Sequence, residues 1–104
     1  MRVLITPGAR RRLREIETYV AKEASTGIAR DLITCIVRHM QLLEHPPLLG
    51  KRMTRYANAD VRELYERPYR VIYRVRDDRI EILTVMHYRQ LLPSDLHDFE
   101  PRSE

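Results

Sequence analysis

The chain has 104 residues, 43% hydrophobic and 33% charged, with a formal net charge of +4. One domain of this size buries a modest core and leaves little area for a deep pocket; its apolar content argues against wholesale disorder, and no run approaches the roughly 20 apolar residues of a membrane span. The single cysteine, Cys35, excludes an intrachain disulfide and fits a reducing cytoplasm.

The N-terminal "MRVLITPGARRR" carries too short an apolar run for a signal peptide. Residues 2–6, "RVLIT", read as a short strand. Thr6 can then cap a helix with Pro7 at its first position. Ala9, Leu13, Ile16, Val20 and Ala24 follow at helical spacing and predict an amphipathic helix near 7–24. "STG" at 25–27 breaks it, with Ser25 or Thr26 able to cap the next. Ile28, Leu32, Cys35, Ile36, Met40 and Leu43 predict a second helix near 27–44, ended by His45-Pro46-Pro47. The short break implies an antiparallel helical hairpin.

Residues 45–60 read as a loop from their Pro, Gly, Asn and Asp content. Strands follow: "VRELYE" at 61–66, a turn at Arg67-Pro68, "YRVIYRV" at 69–75, a turn at Asp77-Asp78 and "RIEILTVMH" at 79–87. In 69–76, Tyr69, Val71, Tyr73 and Val75 alternate with Arg70, Ile72, Arg74 and Arg76, the mark of a half-buried strand. The last strand has no single parity, because Ile80/Ile82 and Leu83/Val85 all call for burial. The fold expected is α+β: an N-terminal strand and a helical hairpin on a twisted, three- to four-stranded antiparallel sheet, the first strand joining an edge. The core should include Leu13, Ile16, Val20, Leu32, Ile36, Leu64, Val71 and Tyr73. One domain is expected over 1–93, with an acidic, flexible tail at 94–104.

Charge is unevenly spread. Residues 51–89 hold ten Lys/Arg against six Asp/Glu, and residues 90–104 hold one against four. A basic sheet region favours nucleic acid or an acidic protein partner. Arg62, Arg70 and Arg74 read as one arginine face at matching parity, with Lys51 and Arg52 on the adjoining loop. Guanidinium forks bind phosphate and carboxylate bidentately. The competing reading pairs these arginines with Glu63, Glu66, Asp78 or Glu81 across strands. His87, Tyr88 and Arg89 fall where the last strand ends, a position that often carries function. Together they could supply an acid/base, a second proton donor and a phosphate clamp; alternatively His87 ends the strand and Tyr88 packs on the rim. His39, His45 and His97 show no metal-ligand spacing, so no metal is expected, and no other cofactor either; Cys35 lies on the helix stripe and reads as core and not as a nucleophile. A plain nucleic-acid-binding module is a weaker reading, since Tyr69 and Tyr73 point to the core and leave little for base stacking.

The element order, with "RELY" at 62–65, "YRVIYRV" at 69–75, "DRIEILTV" at 78–85 and "HYRQLLP" at 87–93, resembles the RelE/ParE toxin superfamily of bacterial type II toxin–antitoxin systems. The likeness covers roughly residues 1–93 and leans towards the ParE branch. It implies a microbial ribonuclease-like core, a cytoplasmic location and a hetero-oligomer with a cognate antitoxin carrying an acidic, amphipathic segment. It implies a modulating effect on the antitoxin's DNA binding as well. A ParE-like chain would inhibit DNA gyrase without being an enzyme, through Arg62, Arg70, Arg74, Arg89, Lys51 and Arg52 as contacts. A RelE-like chain would cut mRNA on the ribosome without a metal, with His87 and Tyr88 as catalytic residues.

Overall fold

The computed structural model describes residues 1–99. Strand β1 (Arg2–Ile5) leads into helix α1 (Pro7–Glu23) and helix α2 (Thr26–Leu42). Strands β2 (Lys51–Arg52), β3 (Asp60–Glu66), β4 (Tyr69–Val75) and β5 (Arg79–His87) follow, and a 3-10 turn (Leu96–Phe99) comes last. Both helices start where their caps predict. Thr6 Oγ1 accepts from the Ala9 amide at 3.2 Å, and Ser25 Oγ from the Ile28 amide at 3.1 Å. The Thr6 hydroxyl also donates to the Ile82 carbonyl at 2.7 Å and so fixes the start of α1 to β5.

The α+β class and the hairpin-on-sheet layering hold, but the sheet has five strands in the order β1-β5-β4-β3-β2. It is mixed, because β1 runs parallel to β5, with Arg2 opposite Arg79. The fifth strand is the two-residue β2, inside what reads as a loop. The ambiguous parity of the last strand resolves as a bulge: Ile72 faces Thr84 while Tyr73 faces Ile82, leaving Leu83 as the extra residue. That insertion turns Ile80, Ile82 and Val85 to the helices and Leu83 to the opposite side, so all four are buried.

Two cores result. Against the helices, Leu13, Ile16, Ile36, Met40 and Leu43 pack on Val71, Tyr73, Ile80, Ile82 and Val85, with Val20, Leu32 and Leu64 partly buried around them. On the other face, Val61, Ile72, Leu83 and Met86 lie under Met53, Tyr56 and Phe99. Tyr56 and Phe99 meet edge-on with ring centroids 5.6 Å apart. Residues 94–99 of the expected acidic tail thus run over the sheet, while residues 100–104 lie outside the described residues.

Loop 45–50 is held by two side chains of the helix-facing side. The fully buried Tyr73 hydroxyl accepts from the Gly50 amide at 2.7 Å and donates to the Pro47 carbonyl at 3.0 Å. Burial pushes the Tyr73 phenol above its ordinary value, so it stays a neutral donor. Arg62 donates to the Gly50 carbonyl at 3.0 Å.

Candidate functional site

The end of β5 is a compact hydrogen-bonded turn. Gln90 closes it twice: its amide donates to the His87 carbonyl at 2.9 Å, and its Oε1 accepts from the His87 amide at 2.7 Å. From α1, Arg12 reaches Gln90 Oε1 at 3.3 Å, and Arg70 donates to the Gln90 carbonyl at 2.8 Å from the opposite face. The Tyr88 amide donates to the Pro68 carbonyl at 2.9 Å, tying the turn to the β3–β4 connection.

Within it, His87 stands across from Tyr69, ring centroids 5.8 Å apart and nearly perpendicular, and lies 4.8 Å from the Tyr88 ring. His87 Nδ1 accepts from the Arg89 amide at 3.2 Å, which puts the proton of a neutral imidazole on Nε2. Arg89 lies over the Tyr88 ring, 5.4 Å from its centroid, and its Nε donates to the Tyr88 hydroxyl at 3.0 Å. Two open clefts flank the turn. One is lined by Arg12, Glu15, Ile16, Tyr19, Tyr69 and His87, and the other by Tyr65, Arg67, Pro68 and Tyr88. Arg12, Gln90, Tyr65 and Arg67 are site residues that the sequence reading missed. Arg12 is one of three consecutive arginines at 10–12, and nothing in the sequence sets it apart from its neighbours.

The expected arginine face does not form. Arg62 lies opposite Tyr73 and points to the helix side, away from Arg70 and Arg74. The register of β3 against β4 decides this, since directly paired residues share a face. Arg62 is paired with Asp60 at 2.9 Å, and Arg52 reaches the same carboxylate at 3.8 Å. Arg70 is only 8% exposed and sits 3.5 Å from Glu63. It is enclosed because Ile72 beside it belongs to the second core. Arg74 is half-buried and has no ion pair among the described residues. It lies four strand residues beyond Arg70, about 13 Å at the usual rise. The structure therefore brings Arg70, His87, Tyr88 and Arg89 to one end of the sheet. It leaves Arg62, Arg74, Lys51 and Arg52 away from that turn.

Glu81 gathers the two arginines that flank the β4–β5 turn. Glu81 accepts from Arg76 at 3.0 Å and from Arg79 at 3.1 Å. Burial alone would raise its carboxyl, but these two hydrogen bonds outweigh it and hold Glu81 below its ordinary 4.5. A carboxylate with a depressed folded-state value stabilises the fold above the unfolded value, and that contribution fades as pH falls through the folded one. The melting-temperature gap between the wild type and Glu81→Gln is therefore expected to be full at neutral pH and to shrink as pH drops below 4.5. A gap that stays constant through that range would show that the ion pairs are not its cause.

A third cluster, unexpected from the sequence, joins α2 to the end of β3. Cys35 Sγ donates to Glu66 Oε1 at 3.4 Å, and His39 Nδ1 contacts Glu66 Oε2. The hydrogen bond to Glu66 is the main reason the Cys35 thiol is pushed above its ordinary value.

Residues 3–92 match the family model described as the ParE toxin of the type II toxin–antitoxin system parDE. Among solved structures, the chain is similar to one of a chromosomal ParDE toxin–antitoxin system from P. aeruginosa. The TM-score is 0.73 at 24% identity, covering 84% of this chain and 95% of that one. It is also similar to a chain of the RelBE2 toxin–antitoxin complex from Mycobacterium tuberculosis, with a TM-score of 0.58 at 24% identity over 83% and 95%. At that identity the likeness is one of fold. No curated protein matches the chain.

Proposed function

The chain belongs to the ParE toxin family of type II toxin–antitoxin systems, and from that premise we propose that it inhibits DNA gyrase by surface contact and is neutralised by a cognate antitoxin. The observation that carries this reading is the state of the candidate catalytic groups. His87 Nδ1 is occupied by the Arg89 amide, so a neutral ring offers a donor, not a base, at Nε2. The Tyr88 hydroxyl is engaged by Arg89, and Arg70 is neutralised by Glu63. Groups engaged with one another in this way suit a contact surface better than a phosphate-cleaving centre, which aims an acid and a base at one reacting point.

The adjacency of His87 and Tyr88 supports the second reading, a ribosome-dependent mRNA endoribonuclease. The two separate on induction in bacteria. Gyrase-dependent DNA breaks with intact mRNA are expected, and mRNA cleavage at ribosomes without such breaks would overturn the proposal. His87→Ala should weaken toxicity only in part, the loss of one contact among several costing about 1–2 kcal/mol. If His87 does acid/base work instead, its loss should cut cleavage about 10²–10⁴-fold.

The antitoxin segment that fits is acidic and amphipathic. Tyr19 on α1 is 62% exposed and borders an open cleft lined also by Arg11 and Arg14, while Ile28 and Leu42 are exposed on α2. Apolar anchors set among cations suit a segment carrying both apolar and acidic residues. The association rate should fall about 10-fold or more between ~0.01 M and ~0.15 M salt, as the screening length shortens from ~30 Å to ~8 Å. A rate indifferent to salt in stopped-flow mixing would rule out steering by these arginines.

A further inference from the structure

We propose that Cys35, His39 and Glu66 form a binding site for a zinc-class divalent cation. Cys35 and His39 are four residues apart on α2, so their side chains share one helix face. That face looks onto Glu66, the last residue of β3. The three ligand atoms all lie within 4.8 Å of one another. Bonds of about 2.0–2.3 Å to a tetrahedral ion place ligand atoms roughly 3.3–3.8 Å apart, so small side-chain rotations close the site.

The chemistry of the donors selects the ion. A thiolate, an imidazole and a carboxylate suit zinc, whereas magnesium and calcium take oxygen ligands. Thiolate and carboxylate together neutralise a dication. Glu66 Oε2 is shut off from solvent and meets only His39 among the described residues. The His39 side chain is 39% exposed, which gives an ion an entry path and leaves a fourth position for water or a partner's donor. The ion would clamp α2 to the start of the β3–β4 turn, two places 31 residues apart in the chain. It would act independently of the toxin's target, so the proposal stands or falls apart from the gyrase reading.

The test uses the tag-free full chain, reduced, titrated with zinc(II) by calorimetry and with cobalt(II) by absorption. One ion per chain is expected, with Kd near ~1 µM, weaker than four-ligand structural sites. Cobalt should give the near-ultraviolet thiolate charge-transfer band and the intense visible bands of a four-coordinate ion. Zinc at 100-fold over Kd should raise Tm by about 10 °C. Cys35→Ser should abolish the charge-transfer band, and Glu66→Gln should weaken binding by more than the ~10–100-fold that outer-sphere changes cost. His39→Gln gives a third reading should either variant fold poorly. The proposal is overturned if wild type shows no charge-transfer band, if Cys35→Ser keeps wild-type affinity, or if His45→Ala or His97→Ala removes the binding.

Discussion

Arg70→Ala is expected to destabilise the protein by about 3–5 kcal/mol, which for a domain of this size lowers Tm by roughly 10–20 °C. Arg70 is the one charged residue counted as buried among the described residues, and Glu63, its partner, has a side chain only 13% exposed. Removing the guanidinium strands that carboxylate beneath the second core and leaves the Gln90 carbonyl without its donor. The cost thus comes mainly from what remains, not from the pair itself. Arg70→Met combined with Glu63→Leu removes both charges and should recover most of the loss. Urea melts of the three proteins check this, and a double variant as unstable as Arg70→Ala would show that the stranded carboxylate is not the cause. The same set protects the toxicity assay from a false reading. If Arg70→Ala loses toxicity and the double variant keeps it, the loss comes from the stranded Glu63 carboxylate and Arg70 is not a contact.

Gly50→Ala should cost about 3 kcal/mol, although no unusual backbone angle requires glycine there. A Cβ at Gly50 would lie 2.7 Å from the Glu63 carbonyl oxygen and 2.7 Å from the Tyr73 hydroxyl, with Tyr73 Cε1 at 2.8 Å. The first is backbone within the sheet and the second belongs to a fully buried ring, so neither yields cheaply. The loop must lift, and the Gly50–Tyr73 and Arg62–Gly50 hydrogen bonds go with it. Gly27→Ala is the matched control. Its Cβ would meet nothing closer than Ser25 Oγ at 4.0 Å, and as a helical position it should gain about 0.5 kcal/mol. Equal effects at the two glycines would mean that conformational freedom, and not close approach, governs Gly50.

Local rules account for what could be read from the chain. Caps at Thr6 and Ser25, two apolar stripes and the clean alternation of 69–75 are short-range signals, and each element formed where they placed it. What stayed hidden needed a register or a distant partner. One inserted residue at Leu83 defeats any reading of 79–87 by strict alternation. The facing of Arg62 depends on its pairing with Tyr73, which the sequence of either strand alone does not encode. The arginine face was misread because Met53 and Tyr56 sit in a loop and Phe99 in a polar tail, where isolated apolar residues signal little. Their convergence over Ile72 is what encloses Arg70. The third cluster stayed hidden because His39 was weighed only against the other histidines and Cys35 read as part of the helix stripe, while Glu66 joins them only through the packing of α2 on the sheet.

The parallel pairing of β1 with β5 bears on how the chain comes to be folded during synthesis. The α1–α2 hairpin and the β3–β4–β5 meander are built from neighbours and can form early. Arg2, by contrast, meets Arg79, a separation of 77 positions, and closing so long a loop is entropically slow unless its two ends are already ordered. Although β1 precedes the other four strands, it is therefore expected to be the last of them to find its place. No complete sheet exists until β5 has emerged. A truncated product ending before residue 79 would lack the strand on which β1 and the start of α1 are docked, and is expected to be incapable of the finished fold.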